Sequence, residues 1–169
     1  MKIFKSDKKL VIELAKGVGT GPTKLSAFDA ALNDAGVSNY NLIRLSSVIP
    51  PNSVIEPHKI KVSPGGKWGD KLYVVMAEIR VDTPNAEAWA GIGWVQEKST
   101  GKGLFVEHEG MSESSVKKDI RQSLEALMAT RNVDFGPIHM EMVGKTCIHM
   151  PVCAMVVAVY QATGWDRPE

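Results

Sequence analysis

The stretch Asn41-Leu-Ile-Arg-Leu-Ser-Ser-Val-Ile-Pro-Pro51 joins an apolar, extended run to two adjacent serines and a double proline. The run predicts a strand, and the proline rings end it because they fix φ and remove two backbone donors. A serine hydroxyl can attack the carbonyl of the residue before it when the backbone is strained and the oxyanion is stabilised. The resulting ester can eliminate to dehydroalanine and hydrolyse to a pyruvoyl group. Most adjacent serines are inert, so the pair Ser46-Ser47 permits this chemistry without establishing it.

Upstream of this stretch, the pattern predicts a strand over residues 9–15, a glycine-rich break over residues 17–22 and a helix from Thr23. The glycines also suggest a phosphate-binding loop, but no Lys-Ser/Thr pair opens the helix, which favours a plain turn. Gly36 stands where a C-terminal cap belongs. The predicted apolar face of the helix consists of Leu25, Phe28, Leu32 and Ala35.

Downstream, a segment rich in Pro, Gly and Ser predicts a long surface loop over residues 51–70. Ser112 is predicted to be the N-cap of a second helix, whose buried stripe would be Val116, Ile120, Leu124, Leu127 and Met128. Further strands are predicted over residues 72–81, 89–97, 103–109, 138–147 and 153–162. Two helices among about seven strands, without regular βαβ alternation, predict a layered α+β fold with mostly antiparallel sheets.

Length and composition limit the class of protein. A chain of 169 residues with 44% hydrophobic and 23% charged residues predicts a single globular domain over residues 1–169. The net charge of +1 lacks the basic footprint of a nucleic-acid binder. No apolar run approaches the roughly 20 residues that span a bilayer, and no secretory signal is recognisable. With only Cys147 and Cys153, we expect reduced thiols in or near the core of a cytoplasmic protein.

The strand pattern of Phe105-Val-Glu-His-Glu-Gly110 places Glu107 and Glu109 on one face, with Val106 and His108 on the other. Two carboxylates about 7 Å apart either form an acid–base pair or line a wet face. The spacing of the four histidines is not typical of a metal site, so no metal is predicted. These histidines are His58, His108, His139 and His149.

The chain resembles the pyruvoyl-dependent arginine decarboxylase family from about Val11 to Trp165. The resemblance is carried by four elements in the expected order: Ser26-Ala-Phe-Asp-Ala-Ala-Leu32, Ala35-Gly36, the stretch from Asn41 to Pro51, and Val106-Glu-His-Glu-Gly110. The Ser-Ser-hydrophobic-hydrophobic-Pro-Pro element is the most specific of the four. The family fold is a four-layer αββα sandwich, which agrees with the α+β pattern of the sequence.

The resemblance implies self-cleavage between Ser46 and Ser47, giving a β chain of residues 1–46 and an α chain of residues 47–169. Ser47 would become a covalent pyruvoyl cofactor at the start of the α chain. Glu107 would be the proton donor, and Asn41 would position the scissile region and the substrate. Asp29 would face a guanidinium, with which a carboxylate can form two parallel hydrogen bonds. The substrate-binding residues implied are Asp29, Leu32, Ser38 and Tyr40.

The resemblance further implies a lyase that converts L-arginine to agmatine and CO₂ through a Schiff base to the pyruvoyl group. Its partners would be a small amino-acid substrate and further copies of the chain, in a trimer or a dimer of trimers with active sites between subunits. Tyr40 is bulkier than the residue expected in this pocket, which keeps another basic or polar amino acid open as the substrate. An uncleaved, non-catalytic oligomeric binding protein of the same fold is the other alternative.

Overall fold

The computed structural model describes residues 8–58 and 61–165. These residues form nine strands and two helices, in the order β1 (Leu10–Thr20), α1 (Lys24–Ala35), β2 (Asn41–Arg44), β3 (Val48–Ile49), β4 (Ser53–Pro57), β5 (Lys71–Val81), β6 (Glu87–Gln96), β7 (Gly103–Gly110), α2 (Glu113–Ala129), β8 (His139–Thr146) and β9 (Val152–Thr163). In the long strands β5 and β9, apolar residues either alternate with polar ones or form a continuous run, as in strands that are buried on one or both faces.

The strands form two stacked sheets. The first sheet has the order β2-β5-β9-β1-β4, and the second has the order β3-β7-β6-β8. Every pairing in the second sheet is antiparallel, whereas the first sheet pairs β2 with β5 and β1 with β4 in parallel. The sheets are therefore mostly antiparallel, as predicted.

Three hydrophobic layers hold the sandwich together. The layer between the sheets contains Ile12 and Leu14 of β1 together with Ile92 and Phe105 of the second sheet. A second layer lies between α1 and the first sheet, and a third lies between α2 and the second sheet. The order of layers is thus α1, first sheet, second sheet, α2, which confirms the predicted αββα sandwich.

The two helix ends predicted from single residues are confirmed. Gly36 caps α1 in the left-handed conformation with φ of 90°. Ser112 is the N-cap of α2, and its side chain accepts a hydrogen bond from the Ser115 backbone N–H at 3.2 Å. Val116, Ile120 and Leu124 are buried, whereas Leu127 and Met128 pack at the margin of the same layer.

The predicted apolar face of α1 is wrong at Leu25, whose side chain is 68% exposed. The face that packs on the first sheet consists mainly of small residues: Ala27, Ala31, Leu32 and Ala35. Small side chains let the helix approach β1 closely. The bulkier Leu25 lies outside this contact.

The break predicted over residues 17–22 is correct only for Gly21 and Pro22, because β1 continues to Thr20. Gly17 and Gly19 lie in the strand, directly beneath α1. A Cβ atom on Gly19 would lie 2.2 Å from the carbonyl oxygen of Ala27. The glycines therefore allow the close approach of strand and helix and do not form a turn.

The surface loop predicted over residues 51–70 contains a strand that the sequence pattern missed. Residues of β4 pair in parallel with the first half of β1, from Leu10↔Ser53 to Leu14↔Pro57. Pro57 is tolerated because β4 is an edge strand of the first sheet.

Both cysteines are free and buried, as expected for reduced core thiols. Burial raises the pKa of Cys153 to about 12, so its thiol stays protonated at neutral pH. The nearby Glu78 carboxylate acts in the same direction.

In the part of the chain that the structure describes, neither helix has the length and apolarity needed to cross a bilayer.

The close contact between β1 and α1 yields a stability prediction. Gly19→Ala should lower Tm by at least about 5 °C, because overpacking against backbone atoms costs roughly 2 kcal/mol. Gly164→Ala is the control, since the nearest atom to its added Cβ would be 3.7 Å away. Thermal melts of the two variants should differ clearly, and equal Tm values would contradict this account of the helix–strand contact.

Candidate functional site

The pair Ser46-Ser47 lies where the chain passes from one sheet to the other. Leu45 still belongs to the first sheet, since its backbone N–H donates to the Val74 carbonyl at 2.8 Å. Val48 begins β3 in the second sheet, where it pairs with Leu104 of β7. Both serines therefore lie in a short connection between two stacked sheets.

The backbone of Ser47 is strained. Its φ of 72° lies in the left-handed region, which costs a non-glycine residue roughly 1–2 kcal/mol. The Ser47 carbonyl accepts a hydrogen bond from the Phe105 backbone N–H at 2.9 Å, which holds this conformation against β7. Strained residues that the surrounding structure enforces are frequent at reactive sites.

The Ser47 hydroxyl donates a hydrogen bond to Oε1 of Glu107. The face pattern predicted for β7 explains this contact. Phe105 packs between the sheets and Val106 packs under α2, so Glu107 lies on the same inner face as Phe105. Glu107 is half-buried, whereas Glu109 near the end of the strand is exposed. The structure thus brings together a serine hydroxyl and a carboxylate that are 60 residues apart in sequence.

An open cleft of about 500 Å³ surrounds this pair. It reaches from the two serines along β7 to the C-terminal half of α2. On the α2 side, Nε2 of His108 lies 2.7 Å from the Ser123 hydroxyl. The lining residues that bear polar side chains are Ser46, Ser47, Glu107, His108, Ser123 and Arg131. The cleft is large enough for a small amino acid.

Tyr160 is a neighbour of this site that the sequence patterns did not identify. Its hydroxyl donates to the Val48 carbonyl at 2.9 Å, and its ring meets that of Phe105 edge-on at 6.2 Å. Burial raises the pKa of Tyr160, and the negative charge of Glu107 raises it further. One sequence signal could have identified Tyr160: it directly follows a long run of aliphatic residues in β9. A tyrosine in such a position is often partly buried, and its hydroxyl then needs a hydrogen-bond partner.

Asn41 lies on β2, at the start of the stretch that leads to the serines. Its side-chain Nδ2 donates to the Gly69 carbonyl at 2.7 Å, and its backbone N–H donates to the Asp70 carbonyl at 2.8 Å. These bonds attach β2 to the segment before β5.

The four predicted substrate-binding residues lie outside the cleft that surrounds the serine pair. Ser38 and Tyr40 line a separate cleft of about 350 Å³, and the Tyr40 hydroxyl donates to the Gly65 carbonyl at 2.5 Å. Asp29 is exposed on α1, whereas Leu32 is 8% exposed and packs under that helix. None of the four is among the described residues that line the Ser47 cleft.

The structure also brings Glu13, Glu56 and His58 together, although their sequence spacing gives no sign of it. Glu13 and Glu56 are partners in the β1–β4 register, and Nε2 of His58 lies 2.9 Å from Oε1 of Glu13. Ligand atoms of all three lie within 4.8 Å of one another. Glu13 alternates with Ile12 and Leu14, which face the second sheet, so the trio lies on the outer face of the first sheet.

The chain matches the family model described as pyruvoyl-dependent arginine decarboxylase over residues 11–162. A pyruvoyl-dependent arginine decarboxylase of Halobacterium salinarum is 43% identical over 97 residues, which cover 57% of this chain and 58% of that protein. One of Thermococcus kodakarensis is 30% identical over 142 residues, which cover 82% of this chain and 87% of that protein.

Among solved structures, a pyruvoyl-dependent histidine decarboxylase superposes with a TM-score of 0.45 and 12% identity, over 91% of this chain and 71% of that one. On the extent of the family match, the chain belongs to the pyruvoyl-dependent arginine decarboxylase family.

Proposed function

We propose that this chain cuts its own backbone between Ser46 and Ser47 and then acts as a pyruvoyl-dependent amino-acid decarboxylase, with L-arginine as substrate. The observation that carries the proposal is the hydrogen bond from the Ser47 hydroxyl to Glu107, at a residue held in a strained conformation. A carboxylate on a serine hydroxyl is the arrangement that activates an oxygen nucleophile. Family membership agrees with this chemistry.

The cut begins when Glu107 accepts the Ser47 hydroxyl proton and the oxygen attacks the carbonyl carbon of Ser46. A C–O bond forms, the Ser46–Ser47 peptide C–N bond breaks, and the freed Ser47 nitrogen takes up a proton. Loss of the Ser47 α-proton then expels the ester oxygen as the carboxylate of Ser46 and leaves dehydroalanine. Hydrolysis by one water releases ammonia and leaves the pyruvoyl group, so no external oxidant or reductant is needed.

The residues around Ser47 suit such a group. The backbone N–H of Phe105 would hold its amide carbonyl, as it holds the Ser47 carbonyl here. When present, a pyruvoyl group supplies an electron-withdrawing carbonyl that makes loss of CO₂ from an amino acid feasible. Glu107 is then the group within reach that can return a proton to the substrate α-carbon.

Among the described residues that line the Ser47 cleft, Glu107 is the only carboxylate, and none of the four predicted substrate-binding residues is present. We propose that a second copy supplies them, so that Asp29 of one subunit faces the Ser47 cleft of its neighbour in a homotrimer or a dimer of trimers. The exposure of Asp29 on α1 is compatible with such a contact. A carboxylate there would bind the guanidinium of arginine with two parallel hydrogen bonds.

Self-cleavage is tested by intact mass and denaturing electrophoresis. We expect fragments of about 5 and about 13 kDa, in proportion to residues 1–46 and 47–169 of an 18.4 kDa chain. Ser47→Ala should leave a single uncut chain because it removes the attacking oxygen. A wild-type chain that stays intact and does not react with phenylhydrazine would contradict the proposal and favour the non-catalytic binding protein.

The role of Glu107 is tested by Glu107→Gln, with Glu109→Gln as the matched control on the same face of β7. We expect Glu107→Gln to slow self-cleavage and to lower kcat by at least about 100-fold, the usual scale for a positioned acid or base. Glu109→Gln should change both by less than about threefold, since Glu109 does not touch Ser47. Equal losses in the two variants would remove Glu107 from the mechanism.

The shared site is tested by mixing two variants that should each be inactive. Asp29→Asn keeps Ser47, and Ser47→Ala keeps Asp29. If each site uses one residue from each of two subunits, mixed oligomers should recover up to about a quarter of the wild-type CO₂ release. Recovery requires a site between subunits, whereas its absence in verified mixed oligomers would place both residues in one chain.

The substrate is tested by comparing CO₂ release from arginine, lysine, ornithine and histidine. We expect arginine to give the highest kcat/KM, because a planar guanidinium matches a carboxylate better than an ammonium does. A higher value for another amino acid would overturn arginine as the substrate and favour the other basic or polar amino acid that Tyr40 keeps open.

A further inference from the structure

Tyr160 contacts the segment that would follow the new chain end made by the proposed cut. Its hydroxyl donates to the carbonyl of Val48, the residue that directly follows Ser47. The edge-on contact with Phe105 fixes the ring in the layer between the sheets. Because burial and the charge of Glu107 raise the pKa of Tyr160, the phenol stays protonated and remains a donor.

Before the cut, Ser47 is held from both sides along the backbone. After it, the covalent tether through Ser46 is gone, and the new end depends on non-covalent contacts. β3 has two residues, and Val48 is 59% exposed. Among the described residues, the backbone contacts that would remain near the new end are the bond from Phe105 N–H to the Ser47 carbonyl and the pairing of Val48 and Ile49 with β7. A strand this short at a sheet edge frays easily.

We infer that Tyr160 is a positioning residue that holds the new chain end against Glu107 after self-cleavage. The inference rests on the proposed function, since an uncut chain has no such end. Tyr160 acts through Val48 and not by contact with the substrate. Its hydrogen bond therefore matters most in the cut protein.

The test compares Tyr160→Phe with Tyr73→Phe. Tyr73 is a good control because it lies on β5 and lines the same small pocket as Tyr160. Removing one neutral hydrogen bond should lower kcat of Tyr160→Phe about threefold to tenfold, with KM changed less than twofold. Self-cleavage should still go to completion. Tyr73→Phe should match the wild type in both constants.

A second readout does not depend on activity. Hydrogen exchange of the segment that begins at residue 47 should be about threefold to tenfold faster in cut Tyr160→Phe than in the cut wild type. In the uncut Ser47→Ala background, the same substitution should change this exchange less than twofold, because the backbone tether is intact.

The outcomes separate the two proposals. If the cut Tyr160→Phe protein kept the wild-type kcat and exchange rate, the role of Tyr160 would be overturned. The same conclusion would follow if Tyr73→Phe lowered kcat as much as Tyr160→Phe did. Either result would leave the proposed function intact. If Tyr160→Phe accelerated exchange equally in the cut and uncut backgrounds, the hydrogen bond from Tyr160 to Val48 would have an ordinary structural role, and the inference would be overturned. A wild-type chain that is never cut would overturn the proposed function and this inference with it.

Discussion

The passage of the chain between the two sheets is the constraint on which the rest of the site depends. Packed sheets lie about 10 Å apart, and an extended residue spans at most about 3.6 Å. Leu45 is still bonded to the first sheet, and Val48 already pairs in the second. Only Ser46 and Ser47 lie between these two positions, so the chain changes sheets within three peptide units. The left-handed conformation of Ser47 arises within this short connection.

The same topology explains how the two proposed chains would stay together after a cut. β1 lies between β9 and β4, and β2 pairs with β5. All three of these partner strands belong to residues 47–169, so strand pairing holds the shorter piece on both sides. The α1 layer adds apolar contacts with β9 and β5. Cleavage would thus remove a strained link without removing a structural element.

The elements that could be predicted from the sequence are those fixed by local chemistry, such as the cap at Ser112 and the alternation around Glu107. The errors arose where a distant partner decides the structure. A glycine in the sequence can indicate either a turn or a close contact between backbones. Gly19 belongs to the second case because α1 packs directly on it. The exposure of Leu25 follows from the same small-residue contact. The strand β4 forms because it pairs with β1, and nothing in the residues of β4 themselves indicates this partner.

For the site, sequence reasoning and the resemblance pointed to Ser47 and Glu107 but missed Tyr160, since a contact 112 residues away leaves no spacing pattern. Residues of a pocket shared between subunits would be still harder to find, because no fold of a single chain brings them together. Asp29 and Tyr40 were named only through the resemblance, and neither lines the described part of the Ser47 cleft. One chain thus supplies both the nucleophile and the carboxylate of the proposed self-cleavage. Recognition of a guanidinium would need a carboxylate besides Glu107, which the described lining of this cleft lacks, so cleavage and substrate specificity need not depend on the same level of assembly.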